Sequence, residues 1–163
     1  CKISIPVSFF EQGLLWYKVI NMPLIDEFVT LPLVVETKTK ISVPKSSGLN
    51  WGQRPTRNQD QAYIAVPADI QRSNFFPNPG EIFLMRCDDG EEFNCKRAQT
   101  NGKAIETPDN NAIIGLYFRK RLGVRSGYLV TIEHMYKYGR TSVDIYYKNK
   151  NEYFLDFSLV GKN

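Results

Sequence analysis

"EIFLMRCDDGEEFNCKRAQTNGKAIET", residues 81–107, decides the fold class of this chain. Two tight-turn signals cut its apolar and β-branched runs. In "DDGE", Gly90 can take the positive φ that a short hairpin turn needs, and "NG" at Asn101 and Gly102 is a second signal of the same kind. The stretch therefore predicts three strands in series, "EIFLMRC", "EFNCKRAQT" and "KAIET", joined by hairpin turns.

Downstream, "PDNNAIIGLYFRKRLG" predicts the best-marked helix. Asn110 or Asn111 caps it, Ile114, Tyr117 and Phe118 share a face, and Gly123 ends it. "YLV" reads as a short strand, and "TIEHMYKYG" as a shorter helix capped by Thr131 and stopped by Gly139. "SVDIYYK", the turn "NKN" and "EYFLDFS" make a last hairpin.

Upstream, "FVTLPLVVET" is a strand that Pro32 bends or confines to an edge. "KTKISVPKSSGLN" is loop and "AYIAVP" a short strand. "VPADIQRSNFFP" is a helix of about two turns stopped by Pro77. Ile3 to Phe10 and Leu14 to Ile20 are two further strand-like runs, interrupted by "EQG". The sum is a mainly β chain with a minor α component, a closed or half-closed barrel with short helices at its ends. No internal repeat or low-complexity segment is visible.

A length of 163 residues fits one domain, and 42 % hydrophobic with 23 % charged residues is the balance of a soluble globular protein. Such a chain builds a core without disulfides or a structural metal. A net charge of +4 permits an anionic partner without demanding one. Cys1, Cys87 and Cys95 are odd in number and irregular in spacing, which fits the reducing cytoplasm better than a disulfide framework. Cys87 and Cys95 still flank the "DDG" turn and could face each other across it. No apolar run reaches the ~18 residues of a membrane span, and no signal-peptide pattern opens the chain. The first residue is Cys, not Met, as in a fragment or excised domain.

Catalytic constellations are poorly represented. The single histidine, His134, sits in H-M-Y-K, whereas phospholipase-D-like nucleases place Lys two residues after the nucleophilic His. The spacing fails, and His134 reads as a surface helix residue. Asp88, Asp89, Glu91 and Glu92, with Lys96 nearby, suggest a Mg²⁺ nuclease site, but Asn94 stands where the carboxylate before that Lys belongs. A solvated hairpin tip accounts for the acids. Glu36-Thr37-Lys38 with Asp26 upstream is one carboxylate-x-Lys pattern, equally readable as a strand end entering a basic loop. There is no nucleophile elbow, P-loop, dinucleotide fingerprint or Cys/His zinc spacing. The expectation is a binder with no catalytic residue, no metal ligand and no cofactor.

"SGLNWGQRPTRNQDQAYIAVP", Ser47 to Pro67, holds the chemistry a binder needs. Arg forks to guanine O6 and N7, Asn and Gln pair with adenine, and Asp accepts from cytosine N4. "RPTRNQDQ" gathers all of these in one loop. Lys96, Arg97, Gln99, Thr100, Asn101 and Lys103 form a second such region. Two ordinary polar hairpin tips remain the plain alternative.

"SGLNWGQRP…RNQDQAYIAVP", "FFPNPGEIFLMRCDDGEEFNCKRAQTNGKAIET…NNAIIGLYFRKRLG" and "YGRTSVDIYYKNKNEYFLDFS" resemble the C-terminal DNA-binding domain of the NgoFVII-type restriction endonucleases. The chain is similar to the recognition domain of their relatives that carry a phospholipase-D-like nuclease. The blocks "GLNWGQ", "DQAYI", "LYFRKRLG" and "YGRT" are specific in combination, and the resemblance runs from about Phe28 to Ser158. It implies a B3-like seven-stranded pseudobarrel over residues 28–163, with residues 1–27 a linker or added N-terminal strands.

It also implies double-stranded DNA as partner, gripped in the major groove by two arms. The N-arm falls on Trp51, Gln53, Arg54, Arg57, Asn58, Asp60 and Gln61, and the C-arm on Lys96, Arg97, Gln99, Thr100, Asn101 and Lys103. Arg54 and Arg57 read guanine or clamp phosphate; Asn58, Asp60 and Gln61 read base edges, with Asp60 favouring cytosine. Gln99, Asn101 and Lys103 read from the other side, and Lys96 and Arg97 contact phosphate. Trp51 either supports the arm base or touches a base. Tyr117, Phe118, Tyr153 and Phe157 are core. Arg119, Lys120, Arg121 and Arg125 read as a solvated helix end.

The implied role is target recognition for a bacterial, cytoplasmic type II restriction endonuclease in a restriction–modification system. Its nuclease domain is absent from this chain, the site is short, asymmetric and GC-rich, and the isolated domain is monomeric. A stand-alone metal-dependent nuclease, and a β-barrel carbohydrate or peptide binder built around Trp51, are the alternatives from other classes.

Overall fold

The computed structural model describes residues 22–159. The strand-like runs at Ile3–Phe10 and Leu14–Ile20, and Cys1, lie outside them. Nine strands are described: β1 Phe28–Pro32, β2 Val35–Glu36, β3 Ile41–Ser42, β4 Ile64–Ala65, β5 Phe83–Cys87, β6 Glu92–Ala98, β7 Ala104–Glu106, β8 Ser142–Asn149 and β9 Glu152–Asp156. Helices α1 Ala68–Gln71, α2 Ala112–Leu122 and α3 Ile132–Tyr138, with 3-10 turns at Gly48–Gln53 and Thr100–Gly102, fill the connections.

Seven strands form one sheet in the order β1-β8-β9-β5-β6-β7-β4, and β2 pairs with β3 apart from it. Strands β5 and β9 run parallel, with Met85 opposite Tyr153, and the other pairs are antiparallel. The outer strands β1 and β4 approach each other, so the sheet curls into a nearly closed pseudobarrel. Pro32 ends β1, an outer strand of the sheet, where its missing N–H breaks no ladder bond on the open side.

The strands alternate inward and outward, as half-buried strands must. In β8, Val143, Ile145 and Tyr147 face in, and in β9 Tyr153 and Leu155 do. Phe75, Phe76, Phe83 and Tyr153 pack ring against ring in the barrel, and the Tyr153 hydroxyl, itself buried, donates to the Phe75 carbonyl at 2.5 Å. Tyr117, Phe118, Tyr153 and Phe157 are core, as expected.

Both hairpin signals form: β5–β6 turns at Gly90, φ 91°, and β6–β7 turns through Asn101 and Gly102. Helix α2 ends at Gly123 in the left-handed conformation, and Asn110 Oδ1, not the Asn111 side chain, accepts from the Ala112 N–H at its start. Thr131 and His134 complete a capping box on α3, with His134 Nδ1 accepting from Thr131 N at 2.9 Å, so His134 helps cap the helix instead of only decorating its surface.

Four expectations change. "FVTLPLVVET" breaks after Pro32 into β1 and β2, and part of the expected loop forms β3 and a 3-10 turn. Helix α1 is one turn, not two, because Phe75 and Phe76 leave the helical path to enter the core. "YLV" is not a strand: the fully buried Asn50 takes the place of a strand partner, accepting from Val130 N and donating to Val130 O, both at 2.8 Å. Cys87 and Cys95 are free and buried, and the register sets Cys95 opposite Phe83 instead of Cys87.

Candidate nucleic-acid interface

The two polar regions leave opposite ends of one short strand pair. The N-arm runs into β4 at Ile64 and the C-arm into β7 at Ala104, and these strands are antiparallel, with Ile64 opposite Ile105 and Ala65 opposite Ala104. Val66 N bonds Lys103 O at 2.8 Å, so the C-arm root lies level with the far end of β4. At about 3.3 Å per residue along a strand and about 4.8 Å between strands, the arm roots stand roughly 8 Å apart.

The N-arm is braced within itself. Gln53 Nε2 donates to Gln59 O at 2.9 Å and closes the loop at its root. The Arg57 guanidinium lies 3.9 Å over the Trp51 ring, and its Nη1 donates to Gln61 Oε1 at 2.9 Å. Trp51 packs edge-on against Tyr63, so these contacts make it the support on which Arg57 rests. A stacked, one-side-bonded guanidinium keeps its other donors in a fixed, outward plane. Arg54 donates through Nε to Ser46 O at 2.8 Å, which leaves its two terminal nitrogens without a partner among the described residues. Asn58 Oδ1 accepts from Asp60 N, and its amide nitrogen is uncommitted there. Thr56 sits at φ 69°, a strained conformation for a β-branched residue.

Asp60 is the first correction to the expected reading set. It is 8 % exposed. Its Oδ1 accepts from Gly127 N at 2.7 Å and lies 3.3 Å from Arg119 Nε, and its Oδ2 accepts from Ser126 Oγ at 2.5 Å. This carboxylate has no edge left for a cytosine; it anchors the arm. Arg119, taken from the sequence as part of a solvated helix end, is 1 % exposed and donates to Gln59 O, Gly115 O and Tyr128 O. Gly115 makes the approach possible: a Cβ there would lie 1.6 Å from Asp60 O.

The C-arm repeats the device. Arg97, expected on a phosphate, is 5 % exposed, and its guanidinium donates to Gly102 O, Asn101 O, Gln71 O and Pro77 O at 3.1–3.2 Å. Burial lowers its pKa from the ordinary arginine value. It organises the turn from beneath. Above it Gln99 adopts φ 64°, ψ 178° and Asn101 φ 59°, backbone states that cost about 1–3 kcal/mol and gather at functional loops. Gln99 Nε2 donates to Glu106 Oε1, whereas Thr100, Asn101 and Lys103 are exposed. Lys96 is half-buried on β6 opposite Glu106.

Each arm thus has a buried arginine that ties arm carbonyls to the barrel. Sequence reading missed Arg119, Asn50 and Gln59; the one available signal was Gly115, a helix-interior glycine four residues before Arg119.

The acidic turn is not a free hairpin tip either. Asp88 pairs with Arg121 Nη1 and Nη2 at 3.0 and 2.8 Å and accepts from Phe157 N. Burial alone would raise its pKa, but the Arg121 and Phe157 bonds with the Arg121 charge hold it below the ordinary carboxylate value. Asp26 pairs with Lys148. Among the described residues no three His, Cys, Asp or Glu side chains gather as a metal-ligand group, and no helix is long and apolar enough to cross a membrane.

A nearly closed seven-stranded sheet with two internally braced polar loops defines a domain of the pseudobarrel class. The family model of the NgoFVII C-terminal B3-like DNA-binding domain matches residues 25–149, and the chain belongs to that family: it is a B3-like DNA-binding domain. No curated protein matches it.

Proposed function

We propose that this domain reads a specific duplex DNA sequence through the major groove and serves as the target-recognition part of a type II restriction endonuclease whose nuclease lies elsewhere in the parent enzyme. The observation that carries the reading is the pair of arms rooted on opposite ends of β4–β7. Two loops leaving opposite ends of one strand pair can enter a groove from its two sides, and the major groove is about 12 Å wide. Arg54, Arg57, Asn58 and Gln61 on one arm, and Gln99, Thr100, Asn101 and Lys103 on the other, supply base-edge and phosphate chemistry on rigid supports. Lys96 adds a phosphate contact beside the C-arm.

The arms differ in sequence and construction, so a single copy presents no twofold symmetry, which favours an asymmetric site. The arginines favour guanine, hence a GC-rich one. The domain spans residues 28–163, binds as a monomer and acts in the bacterial cytoplasm.

The test is selection of a random duplex library on the chain, followed by incubation of plasmid DNA with Mg²⁺. One short asymmetric site should be enriched and no strand cut. A library that passes through unenriched, or nicking by a pure preparation, overturns the reading.

A further inference from the structure

The segment after α2 belongs to neither arm, yet it is fastened to the N-arm. Ser126 and Gly127 bond the two oxygens of Asp60, at 2.5 and 2.7 Å. Gln53 Nε2 reaches Gly127 O at 3.4 Å, and Tyr128 O accepts from the same Arg119 guanidinium that reaches Gln59 O. Gly127 has φ 84°, a left-handed conformation that favours glycine, and it lies against the Gln59 side chain, where a Cβ would come 2.9 Å from Oε1. Residues 125–128 and the N-arm therefore share one rigid root.

Two side chains of the segment turn outward. Arg125 is exposed and pairs with no carboxylate among the described residues. Tyr128 is 59 % exposed, and the Arg125 guanidinium lies 5.9 Å from its ring. The neighbouring acid, Asp60, is already neutralised by Arg119, so nothing in this contact set opposes an anion.

We propose that Arg125 and Tyr128 form a third DNA contact, which grips the sugar–phosphate backbone beside the base pairs faced by the N-arm. The proposal rests on the two-arm reading above. A guanidinium fork suits a phosphate, and the tyrosine hydroxyl can donate to the same or the next one. Because phosphates carry no sequence, this contact fixes register and adds affinity without adding specificity. The shared anchor at Asp60 means that a DNA strand held by Arg125 also positions the N-arm.

The experiment uses the full chain and fluorescence-anisotropy titrations on a duplex carrying the selected site and on a scrambled duplex, each at several salt concentrations. Arg125→Gln should weaken binding to both about tenfold. It should lower the salt slope by about one and leave the ratio between the two duplexes unchanged. Arg125→Lys should recover part of the loss, and Tyr128→Phe should show a smaller loss of the same kind. Neither side chain is buried, so melting temperature should stay at the wild-type value. If wild type binds and Arg125→Gln binds equally well with the same slope, the proposal is wrong and the surface serves a protein partner or none. If Arg125→Gln loses only cognate binding, it reads a base and the backbone assignment is wrong. If wild type binds no duplex, the two-arm reading itself falls, and the third contact with it.

Discussion

Asp60 Oδ1 lies 3.3 Å from Arg119 Nε, with side-chain exposures of 11 % and 1 %. Removal of the carboxylate strands a buried cation, and breaking such a pair costs about 3–5 kcal/mol. Asp60→Ala should lower the melting temperature strongly and weaken cognate and scrambled DNA binding in parallel. Loss of cognate binding alone, with stability intact, would return Asp60 to the reading face.

Arg97 supports the C-arm with four carbonyl contacts. Arg97→Met keeps much of the volume but leaves those acceptors unpaired, at about 2–3 kcal/mol. Chemical denaturation should show this, and proteolysis should open the 99–103 turn first. A variant as stable as wild type would mean that the guanidinium is dispensable as a brace.

Trp51 and Arg57 act as a stacked unit. Trp51→Ala should weaken cognate binding by about 1 kcal/mol through loss of that support. Once Arg57 is removed, the same change should matter much less. A double-mutant cycle on the selected duplex measures the coupling; strict additivity would separate the two residues.

Asp88 is held below its ordinary pKa, so the folded state binds its proton less readily than the unfolded chain. Its contribution to stability is therefore complete above the ordinary carboxylate range and fades as pH falls through the lower folded value. Melting curves taken downward from neutral pH should show this acid loss, and Asp88→Asn should be less stable at neutral pH with a flatter acid limb. An unchanged limb would place the pH sensitivity elsewhere.

With Arg54, Arg57, Lys96 and Lys103 as the arm cations and Arg125 beside them, about five displaced counterions give a slope of log Kd against log salt of roughly 4–5. A nearly flat plot would leave too few phosphate contacts for a two-armed grip.

The hairpins were legible because Gly90 and Asn101-Gly102 solve a local backbone problem that few other residues solve. Helix α3 was legible for the same reason, with Thr131 and Gly139 at its ends. The family blocks marked where the two polar loops lie in the chain. The sequence could not show which polar arm residues turn inward. Asp60 and Arg97 have the residue types of readers, but their partners are remote: Ser126 and Gly127 for the first, Gln71 and Pro77 for the second. Burial set by distant partners leaves no local periodicity. "YLV" failed as a strand for the same cause, since Val130 bonds an Asn side chain 80 residues earlier and Tyr128 O is held by Arg119.

Strand β9 lies between β8 and β5, and it begins at Glu152, after the last residue of the family match at 149. Its parallel pairing joins Leu84 to Glu152 across most of the barrel sequence. A nascent chain therefore holds β5 and β8 with raw edges until β9 emerges, and closure is a long-range event. A shortened protein that stops at 149 would keep both arms and still lack the stave between the barrel's two halves, leaving sticky strand edges that invite aggregation.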